Sequence, residues 1–243
     1  MRILILHIGH HDPLASAKHP PSPERFKAGI TPHLKCAKWT VISAVNEDLP
    51  DPKDYDGYLI TGGKYSVFEE SEWQNRLLDF IRAVHAAKRP MVGVCYGHQA
   101  IAQALGGTVE RSPKGWGVGL MSVSVTNKPK WMLPTYGSLM LHAMHQDQVT
   151  QAPEGAEVFL SSDFCPVSGF TIGDHMLAIQ QHPDFTSAIN NDLIVSRRER
   201  IGARADAAIA TLKGRDDTKT SAQWIAHFFR AAVKGKLPEV AVA

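Results

Sequence analysis

The chain has 243 residues, 44% hydrophobic and 21% charged, with Lys+Arg 26 against Asp+Glu 24 and a formal charge of +2. That length supports one sizeable core, and the balanced charge argues against nucleic acid or an acidic membrane as partner. The cysteines Cys36, Cys95 and Cys165 are too few and too widely spaced for a disulfide framework and fit a reducing cytoplasm, and no apolar run approaches the ~20 residues of a membrane span.

Met1–Leu6 is too short for a signal-peptide core and opens a first buried strand, predicted over Arg2–Ile8. His7, His10, His11 and Asp12 follow. They lack a matching second ligand pair and read as turn or pocket-rim residues, so no metal is expected. His19-Pro20-Pro21-Ser22-Pro23 reads as a loop, either a lid near a site or a surface connection. Strands are predicted at Trp39–Ala44, Gly57–Thr61 and Pro90–Val94. A helix is predicted over Ser71–Lys88, where Trp73, Leu77, Leu78, Ile81 and Val84 recur at helical spacing. A second runs over His98–Leu105 and ends at Gly106-Gly107. Further strands are expected at Gly119–Val125, Glu157–Ser161, Phe170–Ile172 and Met176–Gln180. Beyond Phe185 the chain turns helical and charged over Asp192–Lys213, then amphipathic over Ser221–Val233. The run Arg197-Arg198-Glu199-Arg200 reads as a solvated helix face, with a partner surface as the alternative. Cys36 and Cys165 read as core or loop thiols. This alternation predicts an α/β fold with a mainly parallel sheet covered by helices on both faces. The whole of 1–243 is expected to form one domain with a helical C-terminal extension from about residue 190.

Three segments carry chemistry. In Met91-Val92-Gly93-Val94-Cys95-Tyr96-Gly97-His98-Gln99, a buried strand breaks at a cysteine and enters a helix. A nucleophile elbow needs small residues around such a turn, and the following helix N-terminus favours a thiolate. An isolated cysteine would read as a small buried hydrophobe, but the Gly-x-Cys-x-Gly frame argues otherwise. In Gln181-His182-Pro183-Asp184, an apolar strand ends in a histidine with a carboxylate two residues on. Asp184 can orient His182 while His182 serves Cys95, although His-Pro-Asp alone also suits an ordinary turn. In Tyr58-Leu59-Ile60-Thr61-Gly62-Gly63, a strand runs into glycines whose N–H groups can approach a ligand. The N–H groups of Gly63 and Tyr96 are candidates for an oxyanion hole; a plain strand-ending turn is the alternative. These residues lie at strand C-terminal ends, where sites of parallel α/β sheets sit.

With Met144-His145-Gln146-Asp147, these segments resemble the class I (triad-type) glutamine amidotransferases over about residues 1–190. The likeness is closest to the amidotransferase domain of GMP synthetase and its stand-alone relatives, some of which are γ-glutamyl peptide hydrolases. Lys114-Gly115-Trp116-Gly117-Val118-Gly119 looks like theirs. The resemblance implies a flavodoxin-like sheet, a Cys95–His182–Asp184 triad, no cofactor, and a small-molecule substrate, glutamine or a γ-glutamyl compound. It also implies that Gln99 and the Met144, His145, Gln146, Asp147 loop hold the glutamyl moiety. Asp184 stands where the family usually carries glutamate, Gln146 replaces glycine, and Lys64 follows Gly63.

The expected activity is hydrolysis of a γ-amide through a cysteine thioester, releasing glutamate and ammonia or an amine. No second domain large enough for a synthetase and no P-loop is present in this sequence. Either a separate synthetase chain takes the ammonia, or water completes the reaction and the protein is a γ-glutamyl hydrolase. The alternative from another class is a non-catalytic regulatory or binding protein on the same fold. A cysteine hydrolase of non-glutamyl amides would share the triad and differ in the pocket.

Overall fold

The computed structural model describes residues 1–9 and 17–234, so His10, His11 and Asp12 lie outside the described residues. Its strands in chain order are β1 Arg2–His7, β2 Lys38–Ser43, β3 Gly57–Ile60, β4 Met91–Val94, β5 Thr108–Arg111, β6 Gly117–Val125, β7 Ser138–His145, β8 Asp147–Gln151, β9 Ala156–Ser161, β10 Gly169–Ile172 and β11 Met176–Ile179. The helices are α1 Ser22–Ile30, α2 Glu72–Ala86, α3 Tyr96–Ala104, α4 Ser187–Ser196, α5 Arg198–Ile201, α6 Arg204–Thr211 and α7 Thr218–Lys234.

One nine-stranded sheet has the order β2-β1-β3-β4-β11-β10-β9-β6-β7, and β5 pairs with β8 in a separate two-stranded sheet. The half from β2 to β11 is parallel, as expected. From β11 outward, β10, β9, β6 and β7 continue it antiparallel. Side chains alternate across a strand, and β1 shows what this does. Ile3 and Ile5 enter one core with Phe26 and Ile30 of α1 and Trp224, Ile225, Phe228 and Phe229 of α7. Leu4 and Leu6 enter the opposite core with Leu77, Phe80, Ile81 and Val84 of α2 and Ile101 of α3. Helices therefore cover both faces, which is why the central strands read as continuous apolar runs. A third cluster packs Ile189, Leu193, Ala205 and Ala208 of α4 and α6 onto Val118 of β6 and Met144 of β7.

Three expectations change. The Pro-rich stretch is a loop only to Pro21; Ser22 and Pro23 open α1, where a proline costs nothing because first-turn N–H groups have no intrahelical acceptor. The helix expected over Asp192–Lys213 is three shorter helices, α4 to α6, with Gly202 at φ 69 between the last two. Met144–Asp147, expected as a loop, is the end of β7 and the start of β8 with only Gln146 between them. No described helix is long and apolar enough to cross a membrane.

Trp224 is the largest fully buried side chain, and its indole N–H donates to the Pro134 carbonyl at 2.9 Å. Trp224→Ala is expected to cost about 3–5 kcal/mol of stability, read as a lower urea midpoint.

Candidate active site

Three neighbouring parallel strands deliver the three sequence segments to one place. β4 lies between β3 and β11, with Gly93 opposite Ile60 and Val94 opposite Ile179. Gly62 and Gly63 follow β3, Cys95 follows β4, and His182 lies just beyond β11. Cys95 occupies the turn into α3 at φ 53, ψ −103, and its N–H donates to Ile179 O at 2.9 Å. Positive φ is unusual for a residue with a Cβ, and strained positions of this kind cluster at functional sites. The flanking glycines are required by close backbone approach. A Cβ on Gly93 would stand 2.3 Å from Gly97 O, and one on Gly97 would stand 2.5 Å from Ile60 O.

Gly62 abuts both candidate reactive groups: a Cβ there would lie 2.8 Å from His182 Cε1 and 3.5 Å from Cys95 Cβ. His182 Nδ1 donates to Asp184 Oδ1 at 3.1 Å, which leaves Nε2 as the nitrogen available to the sulfur. Burial alone would lower the His182 pKa. The Cys95 charge, the Asp184 hydrogen bond, the Cys95 hydrogen bond and the Asp184 charge together outweigh it and raise the value to about 9. Burial would raise the Asp184 pKa, but the hydrogen bond and charge of His182 and the charge and hydrogen bonds of Arg25 hold it below the usual carboxylate range. Gly63 sits beside Tyr96, with its Cβ position 3.7 Å from Tyr96 Cβ. Tyr96 is the first residue of α3, and a first-turn N–H has no acceptor within its own helix.

Arg25 and Ser22 reach this site from α1; the sequence carried no signal for Arg25, and Ser22 lay in the stretch read as either a lid near a site or a surface connection. Arg25 Nη2 and Nε donate to Asp184 Oδ2 at 2.9 and 3.3 Å, and Ser22 Oγ donates to the same oxygen at 3.1 Å. The His182 ring stacks on Phe185, with centroids 3.8 Å apart and planes at 15°. The Arg25 guanidinium lies 5.6 Å from the Phe185 ring centre.

Cys95, His182 and Asp184 line a cleft of about 640 Å³. It extends over the ends of β3, β1 and β2 to Ser43, Val45 and Asn46, and is walled by Pro20 and Pro21 on one side and by Ile189 and Leu193 of α4 on the other. The Pro-rich stretch thus borders the site. Arg25, Lys64 and Arg197 are among the residues lining the cleft, Arg25 being paired with Asp184, the one carboxylate of the wall among the described residues, while burial lowers the His7 pKa below its ordinary value. Of the run expected on a solvated face, Arg198, Glu199 and Arg200 are exposed, while Arg197 is half-buried and lines the cleft. No metal-holding cluster of His, Cys, Asp or Glu occurs among the described residues.

Of the residues expected to hold the glutamyl moiety, Met144 lines the cleft. Gln99, His145 and Asp147 are buried and bonded to protein. Gln99 Nε2 donates to Asp147 O at 2.8 Å and Gln180 Oε1 at 3.1 Å, and His145 Nδ1 donates to Asp147 O at 3.0 Å. The Asp147 carboxylate accepts from Ser66 Oγ and Arg111 Nε. Gln146 is half-buried, and its carbonyl accepts from Ser112 N at 2.8 Å. Burial pushes His145 down to about 4 and the neighbouring His98 to about 3, so both stay neutral near pH 7.

Comparison with known proteins gives the family of the chain. The family model for class-I glutamine amidotransferases matches residues 29–198, and the chain belongs to that family. It is similar to Gamma-glutamyl peptidase 3 of Arabidopsis thaliana, at 31% identity over 166 residues that cover 65% of this chain and 67% of that protein. It is also similar to a glutamine-hydrolyzing GMP synthase subunit of Sulfolobus acidocaldarius, at 27% identity over 156 residues, 62% of this chain and 81% of that one. The solved structure of a glutamine amidotransferase from Methylobacillus flagellatus has the same fold, with a TM-score of 0.76 at 23% identity, covering 100% of this chain and 98% of that chain.

The raised His182 pKa has a definite sign. Its charged pairing stabilises the fold fully below the unfolded value of 6.5, and that contribution is lost as pH rises through about 9. Imidazole NMR should therefore show His182 titrating near 9, and Cys95→Ala should lower the midpoint by removing the sulfur charge; an unmoved midpoint would place the sulfur out of range.

Proposed function

We propose that this protein hydrolyses γ-glutamyl amides through a Cys95 thioester, with His182 as acid and base and Asp184 as its orienting carboxylate. The observation that carries the reading is the strained Cys95 turn on the floor of an open cleft, beside an imidazole held by a buried carboxylate. His182 keeps its proton to about pH 9, and in this reading the attacking form of Cys95 is the thiolate, the nucleophilic form of a cysteine, beside that imidazolium. The thiolate attacks the γ-carbonyl carbon, and the N–H groups of Gly63 and Tyr96 receive the oxyanion. One such donor is worth roughly 3 kcal/mol of transition-state stabilisation. As the C–N bond breaks, His182 donates its proton to the departing nitrogen. Water then gives a proton to His182 and attacks the thioester, and collapse releases glutamate and the thiolate.

In this reading Met144 touches the substrate directly, while Gln99, His145 and Asp147 shape the pocket from behind through their mutual hydrogen bonds. Gln146 sits at the turn between their strands. The size of the cleft favours a leaving group larger than ammonia. At about 640 Å³ the cleft is in the range that holds a small-molecule ligand, so it has room for more than a glutamyl moiety and ammonia. The Lys64 ammonium, which lines the cleft 5.5 Å from the Tyr65 ring centre, favours an amine that carries an anionic group. Similarity to a protein named gamma-glutamyl peptidase supports the same direction. Similarity to a glutamine-hydrolyzing GMP synthase component supports the second reading, a glutaminase that supplies ammonia to a separate synthetase chain.

Glutamate release should be measured with glutamine and γ-glutamyl dipeptides side by side. Dipeptide turnover well above glutamine is expected; turnover of glutamine alone, or only after a partner is added, would favour the glutaminase that serves a synthetase. Cys95→Ala should fall to background while remaining folded, and Asp184→Asn should slow turnover by roughly a hundredfold or more.

A further inference from the structure

We propose that Arg25, assisted by Ser22, is a positioning residue for His182: it holds the Asp184 carboxylate in the orientation that presents Oδ1 to the imidazole. This role rests on the reading that Cys95 and His182 carry the chemistry. The geometry divides the carboxylate between two tasks. Oδ2 accepts from Ser22 Oγ at 3.1 Å and from Arg25 Nη2 and Nε at 2.9 and 3.3 Å, while Oδ1 accepts from His182 Nδ1 at 3.1 Å.

The clamp is fixed at both ends. Arg25 Nε also donates to the Asp184 main-chain carbonyl at 3.2 Å, and Nη1 donates to Pro20 O at 2.8 Å. A planar guanidinium bound at these points has little rotational freedom. The helix that carries it is itself anchored: Phe26 and Ile30 of α1 are each 1% exposed. Gly29 approaches the segment being held, since a Cβ there would lie 3.8 Å from Pro183 O and 3.4 Å from Ala222 Cβ of α7. Arg25 also flanks Phe185, on which the His182 ring stacks, so the same side chain borders both supports of the imidazole. Without the clamp, rotation about the short Asp184 side chain would break the Oδ1 contact.

A plain electrostatic role predicts the opposite sign from a positioning role. Removing a cation while geometry holds would strengthen the Asp184–His182 attraction and raise the imidazole midpoint. Loss of positioning would lower it, because His182 loses the hydrogen bond and charge of Asp184. The titratable and charged groups around His182 are Cys95 after β4, Asp184 on its own segment, His145 of β7, and Arg25 behind Asp184.

The test is the His182 NMR titration in Arg25→Met, Ser22→Ala, Asp184→Asn and the Arg25→Met/Asp184→Asn double variant. Arg25→Met should bring the midpoint down from about 9 toward 6.5, and Ser22→Ala should move it the same way by less. On γ-glutamyl dipeptides, Arg25→Met should lower kcat by roughly tenfold or more with KM within about threefold, and the double variant should be no slower than Asp184→Asn alone. Arg25→Lys should recover part of the loss, since it restores one donor to Oδ2. A midpoint that stays or rises, or losses that multiply in the double variant, would overturn the role. If Arg25→Met fails to fold, Ser22→Ala decides by the same shift. Wild-type protein that turns over no glutamyl substrate would sink the proposed function, while the titration still decides the role of Arg25.

Discussion

The register of three parallel strands is the constraint on which the site depends. Neighbouring strands lie about 4.8 Å apart, so residues just beyond the ends of β3, β4 and β11 are brought within side-chain reach. Gly62, Cys95 and His182 occupy those positions. The Cys95 turn is then locked from both sides: its N–H is bound to Ile179 O, and α3 passes so close to β3 and β4 that Gly93 and Gly97 cannot carry side chains without displacing backbone. A sparsely populated φ/ψ at a non-glycine residue costs on the order of 1–3 kcal/mol, and these surroundings hold Cys95 in it at φ 53, ψ −103.

Charge burial is the second constraint. A buried carboxylate or imidazolium is tolerated only when paired and hydrogen-bonded. Asp184 is 5% and His182 6% exposed, and each satisfies the other. The second Asp184 oxygen is bound by Arg25 and Ser22. This network explains how an aspartate, one methylene shorter than the glutamate usual in the family, still reaches the imidazole. The carboxylate lies two residues from His182 across Pro183, and α1 holds it there from the far side.

The antiparallel half of the sheet and the C-terminal helices shape the remainder of the cleft. Met144 leaves the end of β7 under Ile189 and Leu193 of α4, so one apolar cluster both seats the helices and lines the pocket. The break between α4 and α5 falls at Arg197, which brings that side chain to the cleft wall. Behind the pocket, Gln99, His98, Gln180, His145 and Asp147 form a buried polar lattice whose histidines burial keeps neutral.

By itself the sequence determined what local rules control. Continuous apolar runs marked the buried parallel strands, and Trp73 to Val84 marked α2 by spacing. The Gly-x-Cys-x-Gly frame marked the elbow because only glycine tolerates such close backbone approach. Tertiary structure alone decided what depends on distant neighbours. Arg25 lies 159 residues from Asp184, and nothing in Ser22-Pro23-Glu24-Arg25 marks it as a carboxylate clamp. Asp147 reads as a pocket residue from its motif, yet Ser66 and Arg111 bind its carboxylate from other elements. Periodicity reports which face of an element is buried. It carries no record of which polar group waits across the interface, because that partner is chosen only when the elements pack.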